Sequence, residues 1–143
     1  SIASMYKERK CQNPILISGM AFKGVPATND LRGSSSNNIL EYLNAQGIEC
    51  HLHDFENSAS TLKKFYNIYS IDADDFVVDK VPNYEFFLLL NNHPRYKEKA
   101  FHETILNLNK LNSKFFVFDS WNNLGDLSAK LSDSYRNLGS IFL

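Results

Sequence analysis

Two cations frame the most unusual stretch of this chain. Lys23 stands in Gly19-Met20-Ala21-Phe22-Lys23-Gly24, and Arg32 stands in Thr28-Asn29-Asp30-Leu31-Arg32, just before Gly33 and Ser34. The stretch follows a short apolar run, Ile15-Leu16-Ile17, and leads into three serines, Ser34 to Ser36. Cations beside the free N–H groups of a helix start form an anion pocket. Phosphate suits such a pocket, because a guanidinium grips it with two parallel hydrogen bonds. The stretch is not a dinucleotide fingerprint, since Gly19 and Gly24 do not give G-x-G-x-x-G. Nor is it a P-loop, since Val25-Pro26 stands where Lys-Ser/Thr is required. The residues alone leave a second reading open, in which Lys23 is a solvated loop lysine and Asp30 pairs with Arg32.

Other chemistry-bearing residues are sparser. His51 and His53 alternate along one strand, as two metal ligands do, but no third ligand stands near except Asp54. The alternation predicts an exposed polar face there and no metal site. Asp54 ends that strand, where a dinucleotide fold keeps its ribose-binding acid. Without the matching glycines, a loop-capping role is expected instead. His93, in Asn91-Asn92-His93-Pro94, either lines a cleft or caps a turn. Cys11 lies in a polar linker and Cys50 in the apolar phase of a strand, so neither has the surroundings of a reactive thiolate.

The elements that position these residues alternate. Ile15 to Ile17 reads as a buried strand stopped by Ser18-Gly19. Residues 34 to 46 read as a helix, with serine hydroxyls at its start, Ile39, Leu40 and Leu43 on one face, and Gly47 as its stop. A strand is predicted over residues 48 to 53, where Ile48, Cys50 and Leu52 alternate with polar residues. A short helix follows over Thr61 to Tyr66, while Asn67 to Pro82 has no clear period. Phe86 to Leu90 is a continuous apolar strand, Tyr96 to Leu108 a helix with Ala100, Phe101, Ile105 and Leu108 inward, and Phe115 to Phe118 another strand. The phenylalanines of these strands read as core. This alternation predicts an α/β, Rossmann-like three-layer domain with a mostly parallel sheet. Ligands of such sheets sit beyond the carboxyl ends of the strands, so residues 18–34, 53–57, 91–95 and 119–123 are where a site is expected.

The totals bound the function. The chain has 143 residues, the size of one domain, with 43% hydrophobic and 22% charged residues. A net charge of -1 supplies no general field for nucleic acid or an anionic membrane, so neither is an expected partner. The longest apolar run, Phe86 to Leu90, is far short of a bilayer span, and Ser1 to Lys10 carries no signal-peptide pattern. Two cysteines with no metal or disulfide spacing point to a cytoplasmic protein.

Ile15-Leu-Ile-Ser-Gly-Met-Ala-Phe-Lys23, followed by Asn29-Asp30-Leu31-Arg32 and Ser34, resembles a family motif: a strand, G-x-A-F-K, a short loop, then D-x-R-x-S. That motif opens the C-terminal domain of the UDP-glucose/GDP-mannose dehydrogenase family. The resemblance continues through Ile39 to Asp54, then at Asn92-His93 and at Phe118-Asp119-Ser120-Trp121-Asn122. It implies that residues 14–143 hold the UDP part of a UDP-sugar, and that residues 1–13 end a linker or helix from a preceding domain. It implies substrate binding by Phe22 and Lys23, and cofactor (NAD) binding by Arg32 across a domain cleft. The family often has Arg where this chain has Trp121, so a substrate contact there would be a stacked indole. The family enzyme oxidises a sugar C6 alcohol to a carboxylate in two NAD-dependent steps, through a cysteine absent from these residues. The family's usual state is a homodimer or higher homo-oligomer. Catalysis is therefore expected to need a longer protein. A free-standing nucleotide-sugar-binding or regulatory module is the other reading, and an unrelated flavodoxin-like fold a third.

Overall fold

The computed structural model describes residues 1–138. Its elements in chain order are α1 (Ile2–Glu8), β1 (Ile15–Ser18), α2 (Ser35–Ala45), β2 (Cys50–His53), α3 (Ala59–Tyr66), β3 (Phe86–Leu89), α4 (Lys99–Leu111), β4 (Phe116–Asp119), α5 (Ser128–Leu131) and β5 (Tyr135–Asn137). The five strands form one sheet in the order β2-β1-β3-β4-β5, and all four ladders are parallel. The expected mostly parallel α/β sheet is therefore parallel throughout.

Both faces of the sheet are covered, which is why its central strands β1, β3 and β4 read as apolar runs. Ile15, Ile17, Phe86, Leu88, Phe116 and Phe118 face a core shared with α1, α2 and α3. Leu16, Phe87, Leu89 and Val117 face the opposite core, with Phe101, Ile105 and Leu108 of α4 and Leu131 of α5. Strand β1 has β2 on one side and β3 on the other. The chain reverses its direction of travel between β1 and β3, and the carboxyl edge at such a reversal opens a crevice.

Local chemistry explains where boundaries moved. The serine start of α2 holds: Ser34 is the N-cap, and its hydroxyl accepts the Ser36 N–H at 3.1 Å. Ile48 stands outside β2, its N–H donated to Leu43 O at the end of α2. The helix expected from Tyr96 splits in two. Pro94–Lys97 forms a 3-10 turn capped by His93, and α4 proper begins at Lys99. Tyr96 is wholly buried within that turn. The unassigned stretch after α3 carries a single 3-10 turn, Ala73–Asp75, and lays Ser70 alongside Leu52 as a parallel bridge. There Leu52 donates to Tyr69 O and accepts from the Ile71 N–H.

Residues 1–13 pack on the domain. Ala3 is buried, and the Tyr6 ring meets Phe86 edge-on at 5.7 Å. The Arg9 guanidinium lies 4.8 Å from the Phe116 ring centre and donates to Phe115 O. Glu85 Oε1 accepts the N–H groups of Gln12 and Asn13. Cys11, expected in a polar linker, is consequently buried in the core.

Candidate functional site

The loop from Gly19 to Ser34 leaves β1 and turns across the end of β3. Gly19 has φ 97°, and a Cβ there would stand 2.8 Å from Asn91 N and 3.1 Å from Tyr96 Oη. Gly24 lies so close to the Asn92–His93 backbone that any side chain would overlap it. These two glycines let the loop run tightly over the crevice at the strand reversal.

Hydrogen bonds then fix the loop from three directions. Ser36 Oγ donates to Gly19 O at 2.7 Å. The buried Asp54 carboxylate, at the end of β2, accepts the Ala21 N–H at 2.9 Å. The Phe22 N–H donates to Asp30 O at 2.7 Å, closing the loop on itself. Asp54 also accepts from the Glu56 N–H and the Asn57 amide. The carboxylate is thus spent on backbone and side-chain donors, as expected of a loop cap.

On this braced backbone Phe22 is 54% exposed. The Lys23 ammonium lies 5.8 Å from the Phe22 ring centre and is open to solvent. Arg32 donates from Nε and Nη2 to the two carboxylate oxygens of Asp30, at 3.1 and 3.2 Å. The two-pronged bond to Arg32 holds the Asp30 carboxyl below its ordinary range. The Arg32 side chain is nonetheless 84% exposed. It borders an open cleft of about 490 Å³ shared with Asn57, Thr61 and Phe65.

Trp121 is 57% exposed on the loop after β4. That loop is braced by the buried Asp119, which accepts from Asn123 Nδ2, the Leu124 N–H and the Tyr135 hydroxyl. The structure therefore brings Phe22 and Lys23 together at the centre of the carboxyl edge. Arg32 stands towards the β2 side and Trp121 towards the β4 side.

Beneath the site lies a buried relay of three side chains. His53 Nε2 meets Ala73 O at 3.0 Å, so Nε2 carries the ring hydrogen and Nδ1 accepts. Ser18 Oγ then donates to His53 Nδ1 at 2.7 Å and accepts from the Tyr96 hydroxyl at 2.6 Å. Burial pulls the His53 imidazole down to about 4, partly offset by its bond to Ala73 O, and pushes the Tyr96 hydroxyl well up. His53 is thus a neutral core residue, not part of an exposed polar face. It is tolerated inside because both ring nitrogens are paired. His51 meets Tyr84 Oη at 2.6 Å, and no group of three metal-ligating side chains occurs among the described residues.

His93 serves as a cap. Its Nδ1 accepts the Arg95 N–H, and its Nε2 donates to Glu56 Oε1 at 2.8 Å, clasping the loops after β2 and β3. Burial pushes the Cys50 thiol up to about 12 and raises that of Cys11, so neither supplies a thiolate nucleophile. Sequence reading missed Ser18, Tyr96, Asn123 and the Glu56 partner of His93. Only the apolar flanks of Ser18 mark it, as a polar residue ending a buried strand.

Residues 16–126 match the UDP-glucose/GDP-mannose dehydrogenase family, UDP binding domain. No curated protein matches the chain. Among solved structures the chain is similar to the UDP-D-ManNAc dehydrogenase of Pyrococcus horikoshii, with a TM-score of 0.65 and 17% identity. The match covers 96% of this chain and 28% of that enzyme, and the likeness is one of fold.

Proposed function

The chain belongs to the UDP-glucose/GDP-mannose dehydrogenase family and spans its UDP-binding domain, and from that premise we propose that the Phe22–Lys23 loop holds the diphosphate of a UDP-sugar. The observation that carries this reading is the exposed Lys23 on a backbone fixed by Asp54 and Asp30. A cation on a pre-positioned loop binds phosphate without the cost of ordering the loop first. Phe22 stands beside the ammonium as an apolar flank, and the exposed Trp121 offers a flat face to a ring of the ligand.

The same reading makes this domain one part of an NAD-dependent enzyme that oxidises the sugar C6 alcohol to a carboxylate, for polysaccharide synthesis in the cytoplasm. NAD, held elsewhere in the longer protein, would supply the hydride acceptor. Among the residues present, Arg32 fits its pyrophosphate. Nε and Nη2 are committed to Asp30, but Nη1 has no hydrogen bond among the described residues, and the side chain reaches into solvent. The longer protein is read as a homodimer or higher homo-oligomer.

Calorimetric titration with UDP tests the site. Lys23→Ala is expected to weaken UDP binding about tenfold or more, the loss of one charge-assisted phosphate contact. Its melting temperature should match the parent, because Lys23 is solvent-exposed. Equal affinity in the two proteins removes Lys23 from the site, and GDP binding as tightly as UDP removes the choice of base.

A further inference from the structure

Phe22 and Lys23 sit between two anchors. Ala21, just before them, gives its N–H to Asp54 Oδ1 at the start of the loop after β2. Gly24, just after them, lies flush on the Asn92–His93 backbone of the loop after β3. Strand β1 separates β2 from β3 in the sheet, so no ladder joins those two loops. A side-chain bond does: His93 Nε2 donates to Glu56 Oε1 at 2.8 Å. Both ends of that bond are themselves fixed. The Glu56 N–H donates to Asp54 Oδ2 at 3.0 Å. The His93 N–H donates to Asn91 Oδ1 at 3.1 Å. His93 Nδ1 accepts the Arg95 N–H at 3.1 Å, which leaves the ring hydrogen on Nε2. The Phe55 ring packs beside the imidazole, with centres 5.1 Å apart. Ala21, Asp54, Glu56, His93 and Gly24 thus close a ring of contacts around the exposed Phe22 and Lys23.

We propose that His93 is a positioning residue: its bond to Glu56 fixes where the loop holds the Lys23 ammonium, and so sets the affinity for the diphosphate of UDP. This role rests on the UDP reading of the Phe22–Lys23 loop, while the tie between the two loops stands without it. A lysine is a point charge on a flexible stem, so its placement depends on the backbone beneath it. Asp54 holds one end of that backbone. Gly24 holds the other only while the Asn92–His93 segment keeps its distance from Asp54. Each loop is attached to its own strand, and the Glu56–His93 bond removes the freedom left between them. The His93 side chain is 11% exposed and that of Glu56 39%, so water competes for the bond mainly from the carboxylate side. A loop fixed before the ligand arrives binds more tightly than one that must be ordered on binding. The plainer role for His93 is to cap the Pro94–Lys97 turn through Nδ1. The two roles use different ring nitrogens, and substitution separates them.

In the 143-residue chain, His93→Asn places an amide at the reach of Nδ1, so the Arg95 cap stays and the Glu56 bond goes. His93→Gln places one at the reach of Nε2, so the Glu56 bond stays and the cap goes. Titration with UDP is expected to show His93→Asn and Glu56→Ala each binding about threefold or more weakly than the parent, the low end of coupling within one hydrogen-bond network. The double variant should be no weaker than either single one, and His93→Gln should stay within about twofold of the parent. Without ligand, amide hydrogen exchange at Ala21 and Phe22 should quicken by about threefold or more in the same two variants. If His93→Asn does not fold, Glu56→Ala carries the test at a part-exposed position, against Glu56→Gln, which keeps an acceptor oxygen. The positioning role is overturned if His93→Gln binds UDP more weakly than His93→Asn, if the two losses add, or if Glu56→Ala binds as the parent does. Faster exchange with unweakened binding makes the tie structural only and overturns it too. UDP binding that falls with Lys23→Ala but not with Glu56→Ala sinks His93 alone, whereas binding unchanged by Lys23→Ala sinks the UDP reading beneath it.

Discussion

Asp54 Oδ1 accepts the Ala21 N–H at 2.9 Å, tying the end of β2 to the residue just before Phe22 and Lys23. An acid that could have faced a ligand at the strand end is turned inward to hold the neighbouring loop. The loop's shape therefore depends on a residue of another strand, 33 positions away in sequence.

Asp54→Ala should be costly. It leaves the buried donors of Ala21 and Asn57, and the part-buried Glu56 N–H, without their acceptor. At roughly 1–3 kcal/mol for each buried group left unpaired, a loss of several kcal/mol in urea unfolding is expected. Asp54→Asn keeps one acceptor oxygen and should lose less. A variant as stable as the parent would show that the carboxylate does not brace the loop.

Arg32 should matter to the cofactor and little to the fold. Its ion pair with Asp30 is exposed, and exposed pairs add little stability. Arg32→Ala is expected to leave the melting temperature of the chain nearly unchanged. In the longer enzyme it should raise the Michaelis constant for NAD and spare that for the UDP-sugar. A destabilised chain together with unaltered NAD kinetics would make Arg32 a loop brace.

Without the cysteine and cofactor region of its family, the isolated 143-residue chain should form no NADH from UDP-glucose or from UDP-N-acetylated sugars. Turnover with any of them by the purified chain would place the chemistry within these residues.

Acid should destabilise the domain through His53. Its folded value is about 4, against about 6.5 for a free imidazole. Between those values the unfolded chain binds a proton that the folded one refuses. Stability is therefore full above pH 6.5 and falls as pH drops towards 4, by at most about 1.4 kcal/mol per pH unit. Urea midpoints measured from pH 7 to 4 should show this slope in the parent and a shallower one in His53→Asn. Parallel curves would assign the acid sensitivity to other groups.

Gly24→Ala should disturb the site and the fold together, because a methyl group there overlaps the Asn92–His93 backbone. Overpacking of this kind costs about 1–3 kcal/mol, and the displaced loop should bind UDP more weakly. Gly33→Ala is a useful contrast. Its added methyl meets nothing within 4 Å, and only its φ of 66° is strained. An unperturbed Gly24→Ala would mean that the loop moves freely over the crevice.

The elements legible in the sequence were those bounded by strong local signals. The runs at Ile15, Phe86 and Phe116 and the serine start of α2 needed no partner to be recognised. Strand β5 was illegible because Tyr135-Arg136-Asn137 has neither an apolar run nor a clean alternation and is ordered by pairing with β4. His53 was misplaced for a related reason. Alternation separates two faces of a strand, but here both faces are covered and no face is left for water. Lys23 and Arg32 stand out by type and spacing, and Trp121 only through the family resemblance. Tyr96, 78 residues from Ser18, could not, since only the folded sheet brings their hydroxyls within 2.6 Å.

The bridge between Leu52 and Ser70 bears on how the domain behaves in solution. Strand β2 is an outer strand, and outer strands invite other chains to add on and grow aggregates. The outward N–H and C=O of Leu52 are already engaged by Tyr69 and Ile71. A foreign strand would have to peel that segment away before it could dock. The loop that follows α3 thus acts as a guard against self-association at this edge.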